Sequence, residues 1–334
     1  MKVKKIVIIA VIVVIDIIAL FFGATLFAEN IVKNKVDTAI ANVKGTADIT
    51  YESIDVNILK LSALLKNVKI TPTGKKDGMN IDSIAIYELD KKNDPPAFLH
   101  FAANGINIKV TNQTFKEIAP YLISLGFNNL KANFELDYKY DIAKKEFILK
   151  KLSSSIDKIG ALEIMLHVGN INLSALNNPF AIMMAFPNML LHSAEIKYSD
   201  FAFLKRLFKL IAEQTQTAGE HNTSLELMMI GYNAKIDEEL SKATDDYSKK
   251  SITAFKKFVN NPNSLTLKIK PKRPITFSLI QGVEQTKLPE LLNLELAASD
   301  VAAKKPVLND KPTETKKPVE TKKPVEAVKP VQKK

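Results

Sequence analysis

Four histidines, His100, His167, His192 and His221, are the side chains best suited to hold a metal or move a proton near neutral pH. No two lie within five residues of each other, so neither HExxH nor a comparable short ligand spacing occurs. Taken singly, each reads as an ordinary strand or loop residue. Asp237, Glu238, Glu239, Asp245 and Asp246 suggest a cation site. They lack the glycine and alternate spacing of a calcium loop, and read as a solvated helix face. Ser153-Ser154-Ser155 has no recognisable partner base. The GxSxG, Walker, GxGxxG and EF-hand spacings are missing. Without Cys, disulfides, thiol redox chemistry and Cys-ligated metals are excluded. The expectation is a non-enzymatic protein with no cofactor.

One further acid stands out by its place. Ile6 to Ala28 is a run of 23 residues whose only charge is Asp16. As a helix the run measures about 34 Å, enough for a hydrocarbon core of about 30 Å. The small residue wanted before a signal-peptidase site is replaced by Leu26, so a retained anchor is expected rather than a cleaved leader. An aspartate near the centre costs about 2.5–3.5 kcal/mol, which the other residues of the span outweigh. Asp16 is then either a tolerated polar residue or part of a helix–helix interface. Ala19 and Gly23 share its helical face, and small residues with a hydrogen-bonding acid permit close association with a partner helix. Lys2, Lys4 and Lys5 precede the span and place the N-terminus in the cytoplasm.

The formal charge of +11 is unevenly spread. Residues 303–334 carry ten lysines against Asp310, Glu314, Glu320 and Glu326, a net +6. The first 28 residues hold +2, leaving +3 for everything between. No basic face is implied there, and nucleic-acid binding is not expected. The tail repeats KKPV at Lys304, Lys316 and Lys322, has no aromatic residue, and is expected to be disordered. It reads as a tether to an acidic envelope surface or as a solubilising extension.

Between span and tail the pattern is first that of strands. After a short linker containing Gly45, residues 49–56 alternate in period two, an apolar turn covers Leu59–Leu65, and "NVKIT" reads as strand. "NIDSIAIYEL", "GINIKVT", "LKANFELDYKY", "EFILKKL" and "ALEIMLHVGNI" continue the series, with a hairpin at Asp141–Lys145. Leu130, Ala132, Phe134, Leu136 and Tyr138 face one way, as in an antiparallel sheet with one covered face. From Phe201 the period becomes helical, with Lys205, Arg206, Lys209 and Glu213 opposite a broad apolar arc. That helix is expected to pack over the sheet rather than lie on a membrane. Residues 234–259 also read as helical, and "SLTLKIKP" and "PITFSLI" as strands.

The anchor followed by "ITYESIDVNILKLSALLKNVKI" resembles the start of AsmA-like proteins of the bacterial envelope. "AEIKYSDFAFLKRLFKLIAEQ" and "FVNNPNSLTLKIKPKRPITFSL" resemble the C-terminal part of shorter anchored proteins of proteobacteria. These segments cover about a third of the chain. The expected organisation is an α+β protein: a cytoplasmic basic stub at 1–5, a transmembrane anchor at 6–28, and a periplasmic β-rich domain at 29–302. The helical part of that domain lies at about 201–260, and a Lys/Pro/Glu tail follows at 303–334. The expected function is binding or transport of lipid or another apolar ligand at the inner membrane. The alternative is a scaffold that pairs through its transmembrane helix and tethers through its tail.

Overall fold

The computed structural model describes residues 29–57, 62–74, 78–90, 92–93, 95–172, 178–217 and 225–301. The expected anchor with Asp16, Ala19 and Gly23, the tail, and His221 all lie outside these residues. Among the described residues no helix is long and apolar enough to cross a membrane.

Alternation of apolar and polar residues builds one antiparallel sheet. Its strands are β1 (Ala47–Thr50), β2 (Ser53–Asn57), β3 (Ser62–Pro72), β4 (Met79–Leu89), β5 (Phe98–Lys109) and β6 (Asn129–Asp141). β7 (Glu146–Ile156), β8 (Gly160–Gly169), β9 (Leu190–Asp200), β10 (Ser264–Ile269), β11 (Ile275–Thr276) and β12 (Leu294–Ser299) complete it. The order is β1-β3-β4-β5-β6-β7-β8-β9-β10-β12, with β2 also beside β3 and β11 beside β9. From β3 to β9 every strand pairs with the next in sequence, a meander whose connections are short except at residues 110–128, which hold α2 and α3, and at residues 170–189, which hold α4. The β6–β7 turn lies where expected. Lys144 N donates to Asp141 Oδ1 at 3.0 Å, and Lys145 takes a φ of 56° to close the hairpin.

The helices are α1 (Glu29–Val43), α2 (Asn112–Phe115), α3 (Ala119–Ser124), α4 (Pro179–Ala185), α5 (Phe203–Thr217), α6 (Leu225–Lys242), α7 (Asp246–Asn260), α8 (Phe277–Gly282) and α9 (Leu288–Leu292). The helical stretch after Phe201 is thus three helices. The last begins where Asp245 accepts a hydrogen bond from Ser248 N at 2.8 Å.

Four readings of the sequence need correction. The linker before Gly45 is mostly α1, which buries Val36 against the sheet. The alternation over 49–56 does not run through: Ile49 and Ile54, of opposite parity, enter the same core because the chain breaks strand at Tyr51-Glu52. Ser62, Ala63, Leu64 and Leu65 are already in β3 rather than in a turn. "PITFSLI" forms strand only at Ile275-Thr276; Thr276 Oγ1 then accepts from Leu279 N and starts α8.

Candidate functional site

Registers across the sheet place the apolar residues in continuous rows on one face. Ala63, Ile86 and Phe101 continue through Leu136, Leu152 and Ile164 to Ile196, Leu267 and Leu296. The parallel row Leu65–Ile84–Ala103–Phe134 runs on through Ser154 and Leu162 to Tyr198. Strict alternation would not keep these rows aligned, because several apolar pairs are three residues apart. Bulges repair the phase. Register shifts at Tyr87, Asn104-Gly105, Lys150 and His192 hold Ile86 with Leu89, Ala103 with Ile106, Leu149 with Leu152, and Leu191 with Ala194 on the apolar side. At each bulge the intervening residues are sent to the opposite face.

The apolar face is covered at its margins. α1 packs on β1 and β2 and joins one core cluster with the β1–β5 side, where Val36, Leu65, Ile84 and Phe101 are each about 1% exposed. Ala119 and Phe127 pack with Leu130 and Ile156 at one end of the strands. α8 and α9 cover Leu166, Ala194, Ile269 and Leu294 at the other. α7 lies over the last strands, with Phe258 edge-on to Tyr198 at 6.0 Å between ring centres. Inside this frame the rows are open: Leu136, Leu152 and Ile164 are half-buried, and Leu162 and Ile196 are 43% and 39% exposed. At Leu296, the end of the first row, lies a recess of about 550 Å³ also lined by Phe208, Tyr232, Ile236, Ile252 and Phe255. An open apolar surface of this kind, rimmed by covered core, suits an apolar ligand.

The opposite face is polar. Glu135, Ser153, Glu163 and Lys197 lie in one register row. Glu135 receives His100 Nε2 at 3.0 Å and Lys151 Nζ at 2.7 Å. The His100 hydrogen bond, aided by Lys151 and opposed by burial, holds the Glu135 carboxyl below its usual range. Further along, Glu146 at the start of β7, His167 on β8 and His192 on β9 converge, with one donor atom from each within 4.8 Å of the others. The two imidazoles stack, ring centres 4.1 Å apart and planes 16° apart. Burial, then the neighbouring His167, keeps the His192 imidazole below its usual range, against the pull of Glu146.

Two of the four histidines therefore meet, although 25 positions separate them in the sequence. His100 sits instead with Glu135 and Tyr87. The Glu146 partner had no mark in the sequence at all. The usable signal was the apolar spacing in Leu191-His192-Ser193-Ala194, which demands a bulge and so places His192 on the face of His167. The acidic run is what the sequence suggested: Asp237 pairs with Lys256, Glu238 and Glu239 with Lys242, and Asp246 with Lys250, all on exposed helix surfaces. Ser155 Oγ accepts from Asn133 Nδ2 at 3.2 Å, a structural contact.

The described residues thus define an α+β protein, an antiparallel β-rich sheet with helices packed on it. A family model described as that of an uncharacterised protein matches residues 153–299, from β7 to the end of β12. No curated protein matches the chain.

Proposed function

We propose that this is a non-catalytic protein of the bacterial cell envelope that holds lipid, or another apolar chain, in the open window of its sheet. The observation that carries the reading is the exposure of Leu162 and Ile196 within register rows that are buried over β3–β5 and only partly covered from β6 onward. Exposing such side chains forgoes about 25 cal/mol for each Å² left in water, and an acyl chain laid along the rows recovers it. The apolar run at 6–28 supports a single-span anchor with the N-terminus in the cytoplasm and the sheet in the periplasm. On this reading Asp16, Ala19 and Gly23 offer a face to a partner helix, and the Lys/Pro/Glu tail at 303–334 reaches toward an acidic envelope surface. The resemblance to AsmA-like proteins fits the same role.

The test is photocrosslinking in living cells, with the full chain carrying a photoreactive residue at Ile164 or at Glu163 on the opposite face. Lipid adducts at Ile164 and none at Glu163 are expected. Protein adducts at Ile164 in place of lipid would favour the scaffold reading. No adduct at Ile164 would overturn the proposal.

A further inference from the structure

We propose that Glu146, His167 and His192 form a binding site for a divalent transition cation of the zinc class, on the face of the sheet turned away from the apolar window. Two imidazoles and one carboxylate are a donor set that zinc accepts, with a fourth position left for solvent. The three residues come from three consecutive strands, so the backbone ladder fixes their spacing. His192 is the extra residue of the β9 bulge; had the ladder continued unbroken from the His167–Ser193 pair, His192 would oppose Val168 and share its apolar face.

Two independent features point to a ligand. His167 Nε2 is buried without a hydrogen-bond partner, and Glu146 Oε2 lies 3.5 Å from it. A buried polar atom left unsatisfied is costly, and a cation answers that cost where no protein donor does. Beside it, Gly169 leaves room that any other residue would fill: a Cβ there would stand 2.6 Å from His192 Nε2. The chain thus keeps the space next to one candidate donor clear and leaves the other donor open.

The present ring arrangement is not yet that of a coordinated pair. Stacked imidazoles direct their lone pairs along parallel planes, so one ring must turn about its Cβ–Cγ bond for both to converge. A tetrahedral zinc with ligands at about 2.0–2.1 Å sets donor atoms about 3.4 Å apart, so the 4.8 Å spread must also contract by about 1.4 Å. Both changes are side-chain rotations. The backbone ladder stays as it is.

The experiment uses the full chain, purified in mild detergent, stripped with a chelator and then titrated with zinc. One equivalent retained through gel filtration is expected, and cobalt in its place should give the intense visible bands of a near-tetrahedral ion. His167→Ala and His192→Ala should each abolish that equivalent, while His100→Ala and His221→Ala keep it. Glu146→Gln, which preserves volume, should weaken binding by at least the roughly 10–100-fold that losing an outer-shell partner costs, because here the carboxylate is itself a ligand. Gly169→Val should weaken it without removing a donor, by displacing His192. Circular dichroism on each variant separates loss of metal from loss of fold. Zinc retained equally by the parent and by the His167→Ala/His192→Ala double variant would overturn the proposal, as would no retention by a folded parent.

Discussion

Phe101 and Ile196 stand in the same register row on the same face of the same sheet, yet Phe101 is 1% exposed and Ile196 39%. Nothing in their local pattern separates them, since both are apolar residues in alternating strands. The difference lies in what stands over them. On the β1–β5 side the row joins one buried cluster with Val36 of α1, whereas among the described residues the clusters at the β6–β9 part lie along its edges. A sheet can therefore carry one continuous apolar face and use it in two ways, as stabilising core where it is sealed and as a binding surface where it is not.

The sharpest test of that contrast removes bulk from the sealed part. Phe101→Ala should cost about 3–5 kcal/mol in urea denaturation, the range for deleting a buried phenyl ring. A loss below about 1 kcal/mol would mean that the β1–β5 side is as loose as the window. Next in size is the bulge that keeps the rows in phase. Gly105 has a φ of 64°, and a Cβ there would run into the Asp82 carboxylate. Gly105→Ala should cost about 1–3 kcal/mol. Adding Asp82→Ala should restore part of that loss and leave the strain of the left-handed backbone.

A smaller effect belongs to the polar face. Glu135 titrates below its ordinary value of 4.5 because His100 and Lys151 donate to it. A carboxylate lowered in this way stabilises the fold above that ordinary value, and the contribution is lost as pH falls through 4.5 toward the folded pKa. Glu135→Gln should flatten the acid limb of a stability-versus-pH curve there and leave its alkaline side unchanged. The smallest expected change in stability is at the window itself. Ile196→Ser should stay within about 0.5 kcal/mol of the parent, as exposed positions do, while reducing the lipid adducts captured at Ile164. If Ile196→Ser destabilised as strongly as Phe101→Ala, the window would be core.

Much of the sheet was legible because its signals are local. Leu130, Phe134, Leu136 and Tyr138 alternate cleanly, and Asp141 with Lys144 writes the hairpin into the sequence. The amphipathic pattern from Phe201 likewise gives a helix, though Asp245 divides the following stretch in two. What was not legible depends on distant partners. The window exists because the clusters formed with the helices among the described residues leave out Leu162 and Ile196, which no local pattern records. The Glu146–His167–His192 group depends on register between strands and on one bulge, so histidines weighed singly gave no sign of it. "PITFSLI" departs from the expected strand because its alternation ends at Thr276, whose hydroxyl serves as a helix cap.

The neighbour-to-neighbour strand order bears on how the molecule comes into being. Between β3 and β9 each new strand joins the one made just before it, so closing contacts stay local in sequence, and even the helical connections at residues 110–128 and 170–189 add little entropic penalty. The sheet can grow in the order in which the chain is synthesised, one hairpin at a time. Each intermediate presents one unpaired edge to its surroundings until the next strand arrives. The exception is β10, which must return to β9 after the long excursion through residues 201–263. Until that return is complete β9 is an open edge, available for pairing with a wrong neighbour.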